Sequence, residues 1–152
     1  MPILDIRSAT WADLSAIVAM LADDMRGQAR EDASLPLDLA YEKAFEVVSA
    51  DPNQLLVVAL IKSEIVGTLQ ITFIPGLSYK GAWIGQIEAV RIASKLRGLG
   101  HGSELIRWAV DACRDRGCHL VQLSSNAERV DSHRFYSKLG FAQSHLGFKL
   151  AL

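Results

Sequence analysis

The chain has 152 residues, half of them hydrophobic and 22% charged, a composition that suits a globular core and excludes wholesale disorder. Sixteen basic against seventeen acidic residues leave a net charge of −1, which argues against a nucleic-acid partner held by a broad basic field. No apolar run approaches the ~20 residues of a membrane helix, and Met1 to Arg7 lacks the basic-then-apolar order of a secretory leader, so a cytoplasmic single domain spanning 1–152, with no membrane partner, is expected.

In chain order, residues 3–7 predict a short first strand. Thr10 and Asp13 have the spacing of a helix-start capping box, and Leu14, Ile17, Val18 and Leu21 fall at i, i+3, i+4 and i+7. An amphipathic helix over 11–22 follows. From Asp23 to Ser34 the pattern is lost and no element is expected. A second helix starts near Asp38, with Tyr41, Ala44, Phe45 and Val48 on one face, and Asp51-Pro52 ends it. The period then changes. Residues 55–61 are an unbroken apolar run suited to a strand covered on both faces. After the turn Lys62-Ser63-Glu64, Ile65, Leu69, Ile71 and Phe73 alternate with Val66, Thr68, Gln70 and Thr72, a period-two strand that Pro75-Gly76 stops.

Residues 83–92 predict another strand, and 102–116 a helix with Leu105, Ile106, Ala109, Val110 and Cys113 as its apolar stripe and Gly117 as its stop. A strand over 119–124, a short helix over 131–139 and a last strand over 141–150 complete the chain. The order β-α-α-β-β-β-α-β-α-β, with tight turns in the middle and one β-α-β crossover, predicts an α/β (α+β) fold. Its centre is a mixed, mostly antiparallel sheet with helices on both faces. Cys113 and Cys118 have no second pair to complete a zinc site, and His101, His119, His133 and His145 lack metal-ligand spacing, so no metal is expected.

The stretch from Val90 to Gly102 is the most informative. Gly98, Gly100 and Gly102 remove side chains where a strand hands over to a helix, opening backbone N–H groups and the positive end of the helix dipole to an anion. Residues 91–116 carry six basic and three acidic side chains, a net of +3 against −4 for the remainder, which favours a polyphosphate. The plain alternative is a glycine turn that serves only tight helix–strand packing. A Walker loop would need a lysine that Gly102-Ser103-Glu104 lacks. A dinucleotide fold would place Gly-x-Gly-x-x-Gly in its first βα turn, whereas here Gly-x-Gly-x-Gly follows an antiparallel meander.

Arg97-x-x-Gly100-x-Gly102 is similar to the pyrophosphate motif of the GCN5-related N-acetyltransferase (GNAT) family. Ser125-Asn126, followed by the run from His133 to Phe141 (His-Arg-Phe-Tyr-Ser-Lys-Leu-Gly-Phe), is similar to that family's second recurring block. With the element order, the chain resembles the family over essentially its whole length. The resemblance implies the acyl-CoA N-acyltransferase fold and transfer of an acetyl group from acetyl-CoA to a primary amine by direct attack. It also implies residue roles. Backbone groups of Val90 and Ile92 would contact the acetyl and pantetheine amides, the Val90 N–H doubling as oxyanion donor. The N–H groups of Gly98, Leu99, Gly100, His101, Gly102 and Ser103 would hold the pyrophosphate, with Arg97 adding charge. Asn126 would touch the pantetheine arm, and Tyr136 is the candidate acid for the departing thiolate.

Glu88 is the candidate base. It lies two residues before Val90 on an extended strand and so shares its face, and its neighbours Ile87, Ala89 and Val90 predict partial burial. Each assignment has a plainer reading: core packing for Val90, Ile92 and Tyr136, an edge-exposed or salt-bridged carboxylate for Glu88, and a strand-end turn for Asn126. For the acceptor, Asp23, Asp24, Glu31 and Asp32 against Arg26 and Arg30 hint at an acidic rim that attracts a cationic amine, and Tyr79, Trp83 and the loop 74–82 could line its pocket. The sequence names no amine and leaves the number of copies open, a homodimer included. A non-catalytic acyl-CoA-binding sensor or subunit is the competing reading, and retention of both Tyr136 and Glu88 favours the enzyme.

Overall fold

Five strands lie side by side in chain order: β1 (Asp5–Ser8), β2 (Gln54–Ile61), β3 (Glu64–Ile74), β4 (Trp83–Ile92) and β5 (Cys118–Leu123). The structure, a computed structural model, describes residues 3–152. The first four strands are antiparallel neighbours, and β5 runs parallel to β4. Lys62 and Ser63, both at positive φ (48° and 66°), make the two-residue turn between β2 and β3, a geometry that matches the twist of the flanking strands. The helices are α1 (Leu14–Ala22), α2 (Met25–Arg30), α3 (Leu39–Ala50), the single turn α4 (Ser78–Gly81), α5 (His101–Asp115) and α6 (Val130–Lys138).

The apolar run of β2 serves both faces of the sheet, as expected. On one face Val57 and Ala59 join Leu69, Ile71, Phe73 and Ile87 beneath Leu105, Ile106, Ala109 and Cys113 of α5. On the other, Leu56, Val58 and Leu60 meet Leu14, Ile17 and Val18 of α1 and Phe45 of α3. The carboxylate of buried Asp13 ties the start of α1 to β1. It accepts from the Thr10 N–H (2.7 Å) and from both Nη1 and Nη2 of Arg7 (2.7 and 3.1 Å), and the Arg7 guanidinium holds its pKa down at about 2 despite burial.

Two expectations are corrected. The segment 23–34 is not featureless, because α2 fills it: the Asp24 carboxylate accepts from the Gly27 N–H (2.5 Å), and Gly27 packs so closely on the end of α1 that a Cβ would overlap the Leu21 carbonyl oxygen. The last strand over 141–150 does not form, so the sheet has five strands rather than six. Phe141 packs with Tyr136 and Leu139 on the core, but residues 142–152 join no ladder and lie exposed. Alternation makes a segment fit for a strand; only a neighbouring edge makes it one. Among the described residues no helix is long and apolar enough to cross a membrane.

Candidate active site

β4 is laddered on both edges only over its first half. Its parallel register with β5 runs from Trp83↔Cys118 to Ile87↔Leu123 and stops. On the β3 side the register jumps from Gln70↔Glu88 to Thr68↔Arg91, so Ala89 and Val90 together oppose Leu69. Ala89 sits at φ 54°, a left-handed conformation costly for a residue with a Cβ. This is a β-bulge, which bends and twists the strand away from β5. It also resets which side chains share a face. Ile87 and Val90 both pack on the core under α5, whereas Glu88 is exposed, its carboxylate accepting from Thr72 Oγ1 at 3.3 Å. The expectation that Glu88 shares the face of Val90 and is partly buried is therefore wrong, because the extra residue shifts the alternation.

Beyond Ile92 the chain turns through 94–96 and enters α5. Gly98 (φ 78°) and Gly100 (φ 92°) occupy the left-handed region that favours glycine, and no side chain caps the start of α5 at Gly100. Residues 97–100, which lead into the helix, are exposed, whereas His101 at its first position is buried. Gly102 serves packing instead: a Cβ there would stand 3.4 Å from Phe135 Cζ of α6. The basic charge counted along 91–116 is largely matched. Lys95 pairs with Glu64 (2.7 Å), Arg114 with Asp111, and Arg97 lies 3.5 Å from the Asp23 carboxylate while donating to the Asp23 carbonyl (2.9 Å). Side-chain charge is therefore not what distinguishes this loop. The carbonyls of Val90 and Ile92 accept from Arg91 Nη1 (2.9 Å) and Arg97 Nε (3.1 Å).

Across from the open half of β4 lie the residues that follow β5. Ser125 Oγ is buried with no hydrogen-bond partner. Asn126 holds the turn into α6, its Oδ1 accepting from the Glu128 N–H (3.0 Å) and its carbonyl from the Arg129 N–H (2.9 Å). Tyr136, half-buried on α6, packs edge-on against Phe135 and Phe141 with ring centroids 5.0 and 5.9 Å apart. Burial pushes its pKa up, and the charges of Arg129 and Arg91 pull it back, so the phenol keeps its proton at neutral pH.

The residue that sequence reasoning missed is Arg91. Its side chain is only 14% exposed, its Nε is buried without a partner, and its Nη2 is 3.4 Å from Asp24. Burial draws its pKa down, Asp24 opposes the shift, and the nearby charges of Arg30, Arg129 and Arg97 reinforce it. The one available signal was a charge flanked by the apolar Val90 and Ile92. By contrast the acids of the expected rim are engaged: Asp23 by Arg97, Asp24 by Arg91, Glu31 by Arg30 (3.0 Å) and Tyr41 (2.8 Å), and Asp32 by Ser34. Nor do Tyr79 and Trp83 reach the gap. Trp83 begins β4, roughly 16 Å of extended strand before Glu88, and Tyr79 stacks on His119 at the start of β5 with centroids 5.1 Å apart. Arg26, through Glu128 (2.8 Å), ties α2 to the turn after β5 and so encloses the gap from the α1–α2 side.

The model of the acetyltransferase (GNAT) family matches residues 14–141. An aminoalkylphosphonate N-acetyltransferase from Salmonella typhimurium is 33% identical over 153 aligned residues, covering 100% of this chain and 94% of that protein. The crystal structure of a protein described as a transcriptional regulator from Bacillus halodurans C-125 superposes with a TM-score of 0.95 at 47% identity, covering 98% of this chain and 99% of the other. A predicted acetyltransferase from Clostridium acetobutylicum, solved with acetyl-CoA, shares the fold at a TM-score of 0.75 and 20% identity, covering 98% and 96% of the two chains.

Proposed function

Since the chain belongs to the acetyltransferase (GNAT) family and is an N-acetyltransferase of that type, we propose that acetyl-CoA is its donor and that its acceptor is a primary amine carrying a compact anionic group such as a phosphonate. The feature that carries this reading is the half-open strand: Glu88–Ile92 has no β5 partner, and it leads directly into the uncapped start of α5. Two buried polar atoms beside that opening, Ser125 Oγ and Arg91 Nε, have no protein partner, which fits a ligand with amide and carbonyl groups lying between the strands. Acetyl-CoA, when bound, supplies the activated acetyl group.

The residues divide the remaining work. The N–H groups from Gly98 to Ser103 hold the pyrophosphate, and the backbone of Val90 and Ile92, with Asn126, aligns the pantetheine arm. The N–H of Val90 donates to the thioester oxygen as negative charge develops there. Tyr136 gives its proton to the departing thiolate. Glu88, on the opposite face of β4 beside Thr72, takes the ammonium proton through water before the amine attacks.

The acceptor's anion belongs with Arg91. Like charges crowd this arginine, and among the described residues Arg129 has no ion pair. An acidic group on the acceptor would relieve that repulsion and pair with both side chains in the two-pronged way guanidinium groups favour. The test is free-thiol release from acetyl-CoA with an aminoalkylphosphonate and with the same amine lacking the phosphonate. The anionic amine is expected to be preferred, and Arg91→Met should raise its KM tenfold or more while leaving the neutral amine unaffected (loss of one charged pair, ~1.4 kcal/mol or more). Equal use of both amines by the wild type would overturn the anionic acceptor. Retained preference in the variant would remove Arg91 from it.

A further inference from the structure

The helix that carries Tyr136 is loosely built at its start. α6 has nine residues, no side chain caps it at Arg129, and none of its residues is fully buried. Phe135, Tyr136 and Leu139 pack on the core. Such apolar contacts are non-directional, so they set how deep the helix sits and leave its shift along its own axis open. One directional contact fixes that shift. His133 Nε2 stands 2.8 Å from the carbonyl oxygen of Asn126, in the turn after β5. A carbonyl only accepts, so Nε2 carries the proton and donates. Among the described residues this is the one side-chain hydrogen bond from α6 to another part of the chain, since Arg134 pairs within the helix with Asp131. The same carbonyl accepts from the Arg129 N–H (2.9 Å), and the His133 N–H donates to the Arg129 carbonyl (3.2 Å). Both lone pairs of the Asn126 carbonyl are thus spent on α6 and its entry. Tyr136 lies three residues beyond His133, one helical turn from the clamp.

We propose that His133 is a positioning residue, whose hydrogen bond to the Asn126 carbonyl holds the Tyr136 hydroxyl and Asn126 at a fixed spacing. The inference rests on the roles proposed above for Tyr136 and Asn126. Proton transfer to a departing thiolate needs the hydroxyl within about 3 Å of the sulfur, so a small drift of α6 lowers the rate without unfolding the chain. His133 itself touches no reacting atom in this scheme. It acts through the turn, and what matters is where its N–H points rather than any proton it gains or loses.

The test is a double-mutant cycle on kcat, followed by free-thiol release with whichever of the two amines above the wild type uses better. His133→Ala should lower kcat about three- to tenfold while circular dichroism shows a folded chain. His133→Gln, whose amide N–H reaches about as far as Nε2–H, should restore most of the rate, although glutamine does not titrate. In the Tyr136→Phe background the same alanine should change kcat by about twofold or less, because the hydroxyl it positioned is gone. Equal losses in both backgrounds, with kcat already lowered by Tyr136→Phe, overturn the positioning role and leave that of Tyr136 standing. So does a His133→Gln variant as slow as His133→Ala. An unaltered kcat in Tyr136→Phe alone overturns the acid role, and the coupling falls with it. Should His133→Ala not fold, the cycle is read with His133→Asn, whose shorter side chain stops short of the carbonyl.

Discussion

The two halves of β4 are built from similar residues and end in opposite situations. Trp83–Ile87 is laddered on both sides and so tightly covered that a Cβ on Gly85 would overlap the Cys113 sulfur of α5. Glu88–Ile92, past one left-handed alanine, keeps β3 and loses β5. A single extra residue thus parts the second half of a core strand from β5 and leaves one edge of its backbone without a ladder partner. On the function proposed above, the first half answers for stability and the second for chemistry, and substitutions should separate the two.

The largest effect is expected beside the open half. Tyr136→Phe keeps the ring contacts with Phe135 and Phe141 and removes only the hydroxyl, so kcat should fall 10²–10⁴-fold with the affinity for acetyl-CoA little changed. Steady-state kinetics and calorimetry on the same preparation check it, and an unaltered kcat would hand the proton transfer to water. Next comes the closed half. Gly85→Val forces a branched side chain into Cys113 and should cost about 1–3 kcal/mol of stability, seen as a lower denaturant midpoint, with kcat per folded molecule preserved. Loss of activity in excess of loss of fold would mean that the two halves are not independent.

A smaller effect belongs to Glu88. Because its carboxylate is exposed and its proposed role runs through water, Glu88→Gln should slow turnover about tenfold near neutral pH and recover in alkali, where solvent deprotonates the amine. Superimposable pH–rate profiles for variant and wild type would remove it from the mechanism. The smallest change tests the boundary between the halves. Ala89→Gly relieves the left-handed strain and should add about 0.5–1 kcal/mol of stability with activity retained, while a β-branched residue there should lose both. If glycine lowered activity instead, the bulge would need the restraint of a Cβ and not merely the φ value.

Much of this molecule was legible in its sequence. The run Leu69, Ile71 and Phe73 of β3, the doubly apolar run of β2 and the stripe of α5 each record which faces are buried, whereas at the start of β3 the alternation fails: the register shift beside Leu60 puts Val66 with Leu69 and Ile65 on the opposite face. The glycines at 98 and 100 were legible for a similar local reason: positive φ at a helix start excludes most side chains. The bulge was not, since alanine carries no preference for φ 54° and only the register of β4 against β3 reveals the extra residue. Neither was α2, which is too short to show a period and stands on the fit of Gly27 against α1.

The surroundings of the charges were decided the same way. Counting along the chain made 91–116 basic and 23–32 acidic, whereas folding brings Asp23 to Arg97, Asp24 to Arg91 and Glu64 to Lys95, leaving Arg91 and Arg129 as the pair near Tyr136. The tail marks the limit most clearly. Its alternation is written in the sequence, but a strand exists only where another edge satisfies its N–H and C=O groups, and the supply of that edge is a property of the fold and its neighbours rather than of the segment.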